Sequence, residues 1–339
     1  MDIRRGSGTY VGMHALAKAL RAMGHEIRFD HPSSHLPVYT AERLWFNRNL
    51  RQTDDHLTVG FDMDGYRIAS RNPRHVASLK GVIADEARFE RGLTRLTMDI
   101  QARCERLHAE RAARVLVTSR YSCERAREFY HLTTSPAVVP ELIDLDEWRG
   151  LLQIHEAHSD RFTVLFVGRL YRRKRVEDLL SAAAALQDRI PGLEVRIVGN
   201  GPHGSRLRSL PASGAVTWLG DVGRGELMAE YNRADVFCLP SEQEGFGIVL
   251  LEAMAAGKPI VAARAAAIPE VAPHALLVEP RQPEALASAI ESLYRSPEKR
   301  AEVSRSADEW VQQFDAPRVA RAFLSAATGT ATPTTCNPT

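Results

Sequence analysis

The second half of the chain alternates between short apolar runs and longer stretches with helical spacing. Apolar runs rich in β-branched residues, as in Thr163–Val167 and Glu194–Val198, predict buried strands. Residues 176–190 have apolar positions three or four apart, which predicts a helix between these strands. The same patterns predict strands at 216–219, 235–239, 259–263 and 274–278, and helices at 204–210, 226–234, 248–256 and 283–294. This alternation predicts a doubly wound parallel sheet that binds ligands at the carboxyl ends of its strands.

The first half shows the same alternation less regularly. Its pattern predicts a helix at 9–23, strands at 26–29, 57–61, 75–79, 115–118 and 138–139, and a long helix at 88–114. One stripe of the long helix is apolar, and arginines lie off it. The stripe consists of Phe89, Leu93, Leu96, Ile100, Cys104 and Leu107, and the arginines are Arg91, Arg95, Arg103 and Arg106.

The length of the chain, 339 residues, fits two domains of roughly 150 residues each. A polar segment at 144–160 predicts the linker between them. We therefore expect one Rossmann-like domain at 1–150 and a second at 151–325. The remaining residues, 326–339, are rich in threonine and proline, which predicts a disordered tail.

Composition and charge exclude several classes of protein. The net charge is +2, so no overall field favours nucleic acid or a membrane surface. The four cysteines are scattered, without the spacing of a zinc site. No apolar run approaches the ~20 residues of a membrane span. Residues 1–8 are charged and lack a signal-peptide core, so we expect a cytoplasmic protein.

The most informative segment follows the predicted strand 235–239. Its turn Gly245-Phe246-Gly247 allows close approach of a ligand to the backbone, and a predicted helix begins directly after it. The N–H groups at the start of that helix favour a diphosphate. Glu244 in the turn and Glu252 on the helix could accept hydrogen bonds from sugar or ribose hydroxyls. Alternatively, Glu244 is a helix-capping acid and Glu252 a solvated helix residue.

A basic loop follows the predicted strand 163–167. It contains Gly168-Arg169-Leu170 and, five residues after Arg169, Lys174. These two cations could neutralise a diphosphate and stabilise it as a leaving group. The basic run 172–175 could instead be a solvated surface or a nucleic-acid patch. We expect no nucleic-acid binding, because the run is short and has no interleaved aromatic residues.

Together these segments resemble the family 4, or group 1, glycosyltransferases, which have the GT-B fold. The region 162–325 resembles their catalytic domain, and the first half is similar more weakly. The matching segments are Glu244-x7-Glu252, the loop from Gly168 to Lys174, 198–202, Trp218-Leu219-Gly220, 234–236, 251–259 and 268–271, and in the first half Gly8 with 24–26, 117–119, 139–140 and 143–144.

This resemblance implies two Rossmann-like domains that face a cleft, and retaining transfer of a sugar from a UDP-, GDP- or other nucleotide-sugar. It implies no metal and no other cofactor. Arg169 and Lys174 would hold the diphosphate, Glu252 the ribose and Glu244 the donor-sugar hydroxyls. The remaining donor-binding residues would be Gly8, Gly168, Gly220, Asp221, Val222, Gly245, Phe246, Gly247 and Ile248.

The sequence departs from the family pattern in four places. Only residues 1–5 precede the glycine turn, so the first domain is expected to lack its opening strand or to begin further upstream. Lys80 stands where the family usually has a histidine, and Asp62 and Asp85 lie near it as candidate acceptor-side residues. Arg175 and the pair Ala266-Ala267 replace glycines that are common in the family.

Several alternatives remain. Residues 199–204 spell the GxGxxG dinucleotide fingerprint, with Asp221 about twenty residues later. The motifs at 62–64 and 144–146 spell DxD, a metal motif of another glycosyltransferase fold. Helix 88–114 could dock peripherally on anionic lipid. The acceptor could be a glycan, a lipid-linked sugar or a small glycoside, and the oligomeric state is open. The rival functions are a catalytically dead nucleotide-binding protein and a nucleotide-sugar epimerase of the same fold.

Overall fold

A computed structural model describes residues 8–32, 36, 38–51, 56–155, 160–211 and 213–330. The chain divides into two compact units. The first comprises Met13–Glu141 and the C-terminal segment from Pro317 onward. The second comprises Leu142–Ala316, and the start of the first helix, up to Gly12, groups with it. The division thus falls after Glu141 rather than after residue 150, and the last helix belongs to the first unit.

The first unit alternates helices and strands. Its elements are α1 (Gly8–Ala22), α2 (Tyr39–Asn49), β1 (Thr58–Phe61), β2 (His75–Leu79), α3 (Ile83–Ala87), α4 (Gly92–Arg111), β3 (Arg114–Val117), α5 (Arg120–Tyr130) and β4 (Ala137–Val138). The C-terminal helix α14 (Ala316–Thr328) is numbered last in chain order. The four strands form one parallel sheet in the order β1-β2-β3-β4.

The second unit follows the predicted alternation closely. Its elements are α6 (Leu145–Ile154), β5 (Thr163–Val167), α7 (Val176–Leu186), β6 (Glu194–Val198), α8 (Gly204–Ser209), β7 (Val216–Gly220), α9 (Arg224–Arg233), β8 (Val236–Leu239), α10 (Ile248–Ala255), β9 (Ile260–Ala263), α11 (Ile268–Val271), β10 (Leu276–Val278), α12 (Pro283–Arg295) and α13 (Pro297–Val311). The six strands form a parallel sheet in the order β10-β9-β8-β5-β6-β7. This order reverses between β5 and β8, which makes their carboxyl ends the topological switch point of the sheet.

Both sheets confirm the expected α/β architecture. In the second unit, every residue of β5, β8 and β9 is buried, as expected for central strands covered on both faces by helices. The apolar runs of the sequence are continuous here because neither face of a central parallel strand meets water. In the first unit, β2 is likewise buried at all five positions.

Two expectations for the first unit were wrong. Residues 26–29 do not form a strand, because none of the described strands pairs with them and a lone strand leaves its ladder groups unpaired. The long helix is shorter than the expected 88–114, because α4 runs from Gly92, whose φ is +59°, to Arg111. Leu93 and Leu96 of the expected apolar stripe are exposed. The buried residues of α4 are Met98, Ala102, Cys104, Glu105, His108 and Ala109. Because polar residues occupy some of the buried positions of α4, the periodicity of its apolar residues predicted the wrong face of the helix as the buried one.

The segment expected to be a linker contains helix α6. The Asp144 side chain caps it by accepting a hydrogen bond from the Glu147 N–H at 3.0 Å. Leu145 and Trp148 are buried, and the helix packs against α9 and α10. The segment looked polar because only a narrow face of the helix is apolar.

Helix α14 continues to Thr328, three residues into the stretch expected to be a tail. Residues 331–339 and the question of an opening strand at 1–7 lie outside the described residues. None of the helices in the described ranges is long and apolar enough to cross a membrane.

Candidate donor site at the switch point of the second sheet

Two loops meet where the second sheet reverses its strand order. One follows β5 and the other follows β8. The Glu242 N–H donates to the Arg173 carbonyl at 2.9 Å, and Arg173 Nε donates to Gln243 Oε1 at 3.0 Å. These bonds fix the two loops to one another, so the side chains that follow in each loop are brought together.

Lys174 and Glu244 form the central contact between these loops. The ammonium Nζ lies 2.6 Å from Glu244 Oε1 and 2.7 Å from Oε2. Both side chains are largely buried, with exposed fractions of 12% and 7%. Low exposure strengthens the attraction and also makes an unpaired partner costly. The structure therefore joins the two residues that the sequence had assigned to diphosphate and sugar, and Glu244 is not a helix-capping acid.

Arg169 lies apart from this ion pair. Its side chain is exposed, and its guanidinium lies 5.6 Å from the centre of the Tyr171 ring. Gly168 directly before it is tightly placed, because a Cβ there would lie 3.3 Å from the Phe166 ring. An exposed arginine at this loop remains available to an anionic ligand.

The turn before α10 requires its second glycine. Gly247 has φ +86°, in the left-handed region that favours glycine, and α10 begins at the next residue, Ile248. Phe246 is buried and packs edge-on against Phe314 at 5.7 Å between ring centres. Because its ring lies in the core, only the backbone of Phe246 can serve a ligand. Gly245 is also buried in this turn, and the helix presents its first N–H groups beyond it.

Glu252 lies on α10 and is buried. The hydroxyl of Tyr231, from α9, donates to its Oε2 at 2.8 Å. Burial raises the pKa of Glu252 to about 7, although the Tyr231 hydrogen bond and the Arg224 charge act in the opposite direction. The carboxyl group is therefore poised between its neutral and ionised forms near neutral pH. It is not a solvated helix residue.

The GxGxxG motif has a structural explanation. Gly199 has φ +119°, and a Cβ there would lie 2.1 Å from the Gly168 carbonyl oxygen. A Cβ on Gly201 would lie 2.5 Å from the Leu170 nitrogen. The glycines thus let this turn pack against the loop after β5. Two backbone bonds, Gly168 N–H to Val198 O and Leu170 N–H to Asn200 O, both at 3.0 Å, hold the packing.

Gly220 ends β7 with φ +70°, and its carbonyl accepts the Gly199 N–H at 2.6 Å. Asp221 and Val222 follow, and Asp221 is exposed. The structure therefore places this candidate donor-binding segment at the carboxyl end of a strand of the same sheet. Gly8 is the first residue of α1.

Two of the family glycines replaced in this chain occupy left-handed backbone. Arg175 has φ +51° and Ala266 has φ +52°, where an L side chain is strained. Arg175 is held by Asp178, with guanidinium–carboxylate distances of 2.6 and 3.0 Å. Ion pairing thus offsets part of its strain, whereas Ala266 has no side chain that could do so.

Among the candidate acceptor-side residues of the first unit, Asp62 follows β1, Lys80 follows β2, and Asp85 lies on α3. Asp62 Oδ1 accepts the Lys80 N–H at 2.8 Å, and burial raises the Asp62 pKa to about 6. Lys80 Nζ pairs with Glu141 Oε2 at 2.9 Å. Asp85 is buried and accepts from the Tyr121 hydroxyl at 2.6 Å. Each of the three is therefore already engaged within this unit.

The DxD reading at 62–64 finds no support in the contacts of Asp64. Its Oδ1 accepts from Arg43 Nε at 3.0 Å and from Asn47 Nδ2 at 2.9 Å. The carboxylate is therefore part of a local polar cluster. In the second motif, Asp144 is the cap of α6.

A buried histidine pair, unforeseen from the sequence, lies beneath Asp62. His108 Nδ1 lies 2.6 Å from the Asp62 carbonyl, which can only accept, so this nitrogen carries the hydrogen. His75 Nε2 then donates to His108 Nε2 at 2.8 Å, and the Thr58 hydroxyl donates to His75 Nδ1 at 2.8 Å. Burial lowers the pKa of His75 to about 4 and that of His108 to about 3, which keeps both rings neutral. The pair fixes the backbone of Asp62, whose φ is +52°.

Two parallel α/β units, with two loops joined at the switch point of the second sheet, are the architecture of the GT-B fold. Residues 151–310 match the family described as "Glycosyl transferases group 1". This match covers just under half of the chain and supports a group 1 glycosyltransferase in that region.

Two curated relatives illustrate the similarity. The chain is 29% identical over 322 residues to a GDP-mannose-dependent alpha-(1-6)-phosphatidylinositol monomannoside mannosyltransferase of Mycobacterium tuberculosis, covering 88% of this chain and 82% of that protein. It is 39% identical over 184 residues to a D-inositol 3-phosphate glycosyltransferase of Saccharomonospora viridis, covering 49% of this chain and 42% of that protein.

Solved structures share the fold at lower identity. A sucrose-phosphate synthase from Thermosynechococcus elongatus matches with a TM-score of 0.74 and 21% identity, covering 96% of this chain and 94% of that chain. WaaG, a glycosyltransferase involved in lipopolysaccharide biosynthesis, matches with a TM-score of 0.71 and 19% identity, covering 95% and 96%.

Proposed function

We propose that this protein moves a sugar from a nucleotide diphosphate sugar to an acceptor hydroxyl, with retention of anomeric configuration and without a metal ion. The observation that carries the proposal is the buried contact of Lys174 with Glu244 at the switch point of the second sheet. Open α/β sheets bind ligands at such points. The contact joins a cation suited to a diphosphate with a carboxylate suited to sugar hydroxyls.

Lys174 and Arg169 are assigned to the diphosphate. When the bond between sugar and diphosphate breaks, negative charge grows on the leaving group, and cations placed beforehand stabilise it. Lys174 is held in a fixed position by two hydrogen bonds, so little reorganisation is needed. Arg169 is exposed and can add a second, bidentate contact. The N–H groups at the start of α10 add a third source of positive potential.

Glu244 is assigned to the hydroxyls of the donor sugar. Each carboxylate oxygen has two lone pairs, and the hydrogen bonds from Lys174 use one lone pair on each oxygen. The remaining lone pairs can accept hydrogen bonds from two sugar hydroxyls. Glu252, which lies on α10, is assigned to the ribose.

The nature of the donor is best tested first with GDP-mannose. A relative that matches over 88% of this chain is described as GDP-mannose-dependent. UDP-glucose comes second, because a structure of similar fold, with a TM-score of 0.64 and 20% identity, was solved with that donor. The acceptor of the mannosyltransferase is named as a phosphatidylinositol mannoside, which favours a lipid-linked acceptor here.

Turnover and product stereochemistry test the proposal. The protein is incubated with each nucleotide sugar, with and without a lipid-linked mannoside acceptor, and with EDTA. We expect transfer only with acceptor, unaffected by EDTA, and an anomeric coupling in the NMR spectrum that matches the donor. A product of inverted configuration refutes the retaining mechanism, and loss of activity in EDTA refutes transfer without a metal ion. Epimer formation without acceptor identifies the epimerase, and binding without any turnover identifies the catalytically dead protein.

We also propose that α4 contacts an anionic membrane. Leu93 and Leu96 lie one helical turn apart and are 75% and 58% exposed, with exposed Arg91 just before them. Apolar residues with flanking arginines suit the boundary of an anionic bilayer. The wild type should co-sediment with phosphatidylglycerol vesicles more than with phosphatidylcholine vesicles, and a Leu93→Ser, Leu96→Ser variant should not. Absence of salt-sensitive binding refutes the contact. The cytoplasmic location stays a prediction.

A further inference from the structure

We propose that Tyr231 is a positioning residue for the nucleotide: its hydroxyl holds one oxygen of the Glu252 carboxylate so that the other oxygen accepts the ribose hydroxyls. The inference rests on the assignment of ribose binding to Glu252. The Tyr231 side chain is completely buried, and its hydroxyl donates to Glu252 Oε2 at 2.8 Å. Glu252 itself is only 6% exposed. A buried donor and a buried acceptor of this kind seldom find a substitute partner.

The ring of Tyr231 cannot turn away from Glu252. Trp148 of α6 packs edge-on against it, with ring centres 5.6 Å apart and planes at 70°. Phe237 of β8 stacks on it, with ring centres 5.9 Å apart and planes at 26°. Packing among α9, α6 and β8 therefore fixes the position of the Tyr231 hydroxyl, and this hydroxyl in turn fixes the Glu252 carboxylate.

Such support matters because a glutamate side chain is flexible. Three rotatable bonds separate the carboxylate from the backbone of α10, and an unfixed carboxylate would be ordered only when the nucleotide binds. The Tyr231 hydrogen bond also favours the charged form, which accepts hydrogen bonds more strongly. Arg224 of α9 acts in the same direction and is itself paired with Glu147 of α6.

The first unit supplies a matched control. Tyr130 is also a fully buried tyrosine, and its hydroxyl donates to the buried carboxylate of Glu105. Tyr130→Phe therefore removes the same hydroxyl from the same kind of pair, in the first unit instead of the second. A loss that comes only from a damaged core should be similar in both variants.

The test compares UDP, GDP and ADP with their 2′,3′-dideoxy counterparts, using dissociation constants from titration calorimetry. For the nucleotide that binds, we expect the wild type to prefer the ribose form about tenfold, since a hydrogen bond to a carboxylate contributes on that scale. Tyr231→Phe should reduce this preference to about twofold and leave the affinity for the dideoxy form unchanged. Tyr130→Phe should keep the full preference, and Glu252→Gln should lose it.

The outcomes separate this inference from the proposed function. If no nucleotide binds the wild type, or Glu252→Gln keeps the preference, the donor-site assignment fails, and the inference fails with it. If Glu252→Gln loses the preference but Tyr231→Phe keeps it, only the inference is overturned. Equal weakening of both nucleotide forms by Tyr231→Phe also overturns it. Should Tyr231→Phe not fold, the double variant with Glu252→Gln buries no unpaired carboxylate. It should then bind both forms with the affinities of Glu252→Gln, and weaker binding of either form by the double variant contradicts the proposal.

Discussion

Replacement of Glu244 by glutamine tests the two roles assigned to the contact with Lys174. The substitution keeps the shape of the side chain and removes its charge. Lys174, only 12% exposed, then lies beside a neutral amide that offers one acceptor oxygen in place of two. The variant thus separates the electrostatic part of the contact from its packing.

The magnitude follows from the burial of the pair. Removal of one partner from a fully buried ion pair costs about 3–5 kcal/mol. Here the two side chains keep about a tenth of their exposure, and glutamine retains one hydrogen bond, so we expect a loss of about 2 kcal/mol in the free energy of unfolding. A bound diphosphate brings new negative charge to Lys174 and should recover most of that loss. Transfer has no such compensation and should fall about 10²- to 10³-fold.

Three measurements on Glu244→Gln check this reasoning. Urea unfolding gives the loss of stability without ligand. The same experiment with saturating nucleoside diphosphate should show a larger gain for the variant than for the wild type. Steady-state kinetics should show the loss mainly in kcat, with the affinity for free nucleotide equal to or tighter than that of the wild type.

Glu242→Gln is the matched control, because Glu242 lies in the same loop and pairs with Arg281 at 2.6 Å. Arg281 is 64% exposed, so this pair should contribute at most about 1 kcal/mol and nothing to transfer. If Glu244→Gln weakens nucleotide binding as much as it slows transfer, the role of Glu244 is misassigned. If its stability equals that of the wild type, the contact with Lys174 does not contribute as argued.

Three further predictions concern pH and backbone strain. Nucleotide affinity should decrease as the pH falls through about 7, because burial raises the Glu252 pKa to that value and a protonated carboxyl group accepts hydrogen bonds poorly. Calorimetry on Glu252→Gln should show an affinity that no longer depends on pH in this range. Ala266→Gly should stabilise the protein by about 1 kcal/mol in urea unfolding, because φ is +52° there, whereas Ala285→Gly in α12 should destabilise it by a similar amount. The stability due to the His75–His108 pair is fully present above pH about 6.5 and should be lost as the pH falls toward 4. The reason is that the folded pKa values, about 4 and about 3, lie below that of a histidine in the unfolded chain. A variant with both histidines replaced by glutamine should therefore show a shallower dependence of the unfolding free energy on pH.

The second unit was the part that the sequence predicted best. The bounds of β5 and β6 agree with the apolar runs 163–167 and 194–198. Central parallel strands are buried on both faces, so each leaves an uninterrupted apolar run that local reasoning detects. The glycines also gave a reliable signal, since Gly247 has the positive φ that its turn requires.

The first unit was predicted less well because polar residues occupy its core. Glu105 and His108 lie on the buried face of α4, which the apolar periodicity of the sequence had predicted to be exposed to solvent. Each is satisfied by a partner distant in sequence, Glu105 by Tyr130 and His108 by His75. Local pattern cannot reveal such partners, because the hydrogen bonds that make burial affordable form only in the fold.

The sequence by itself determined the class of the protein and which residue types stand at the carboxyl ends of β5 and β8. These residues form one site only because the strand order makes β5 and β8 neighbours and so brings Lys174 into contact with Glu244. The Tyr231 hydroxyl beside Glu252 and the left-handed backbone at Arg175 were likewise decided by the tertiary structure. The physical reason is the same in each case. Local pattern records whether a residue prefers water or core, whereas a contact between residues far apart in the chain exists only after the elements have packed.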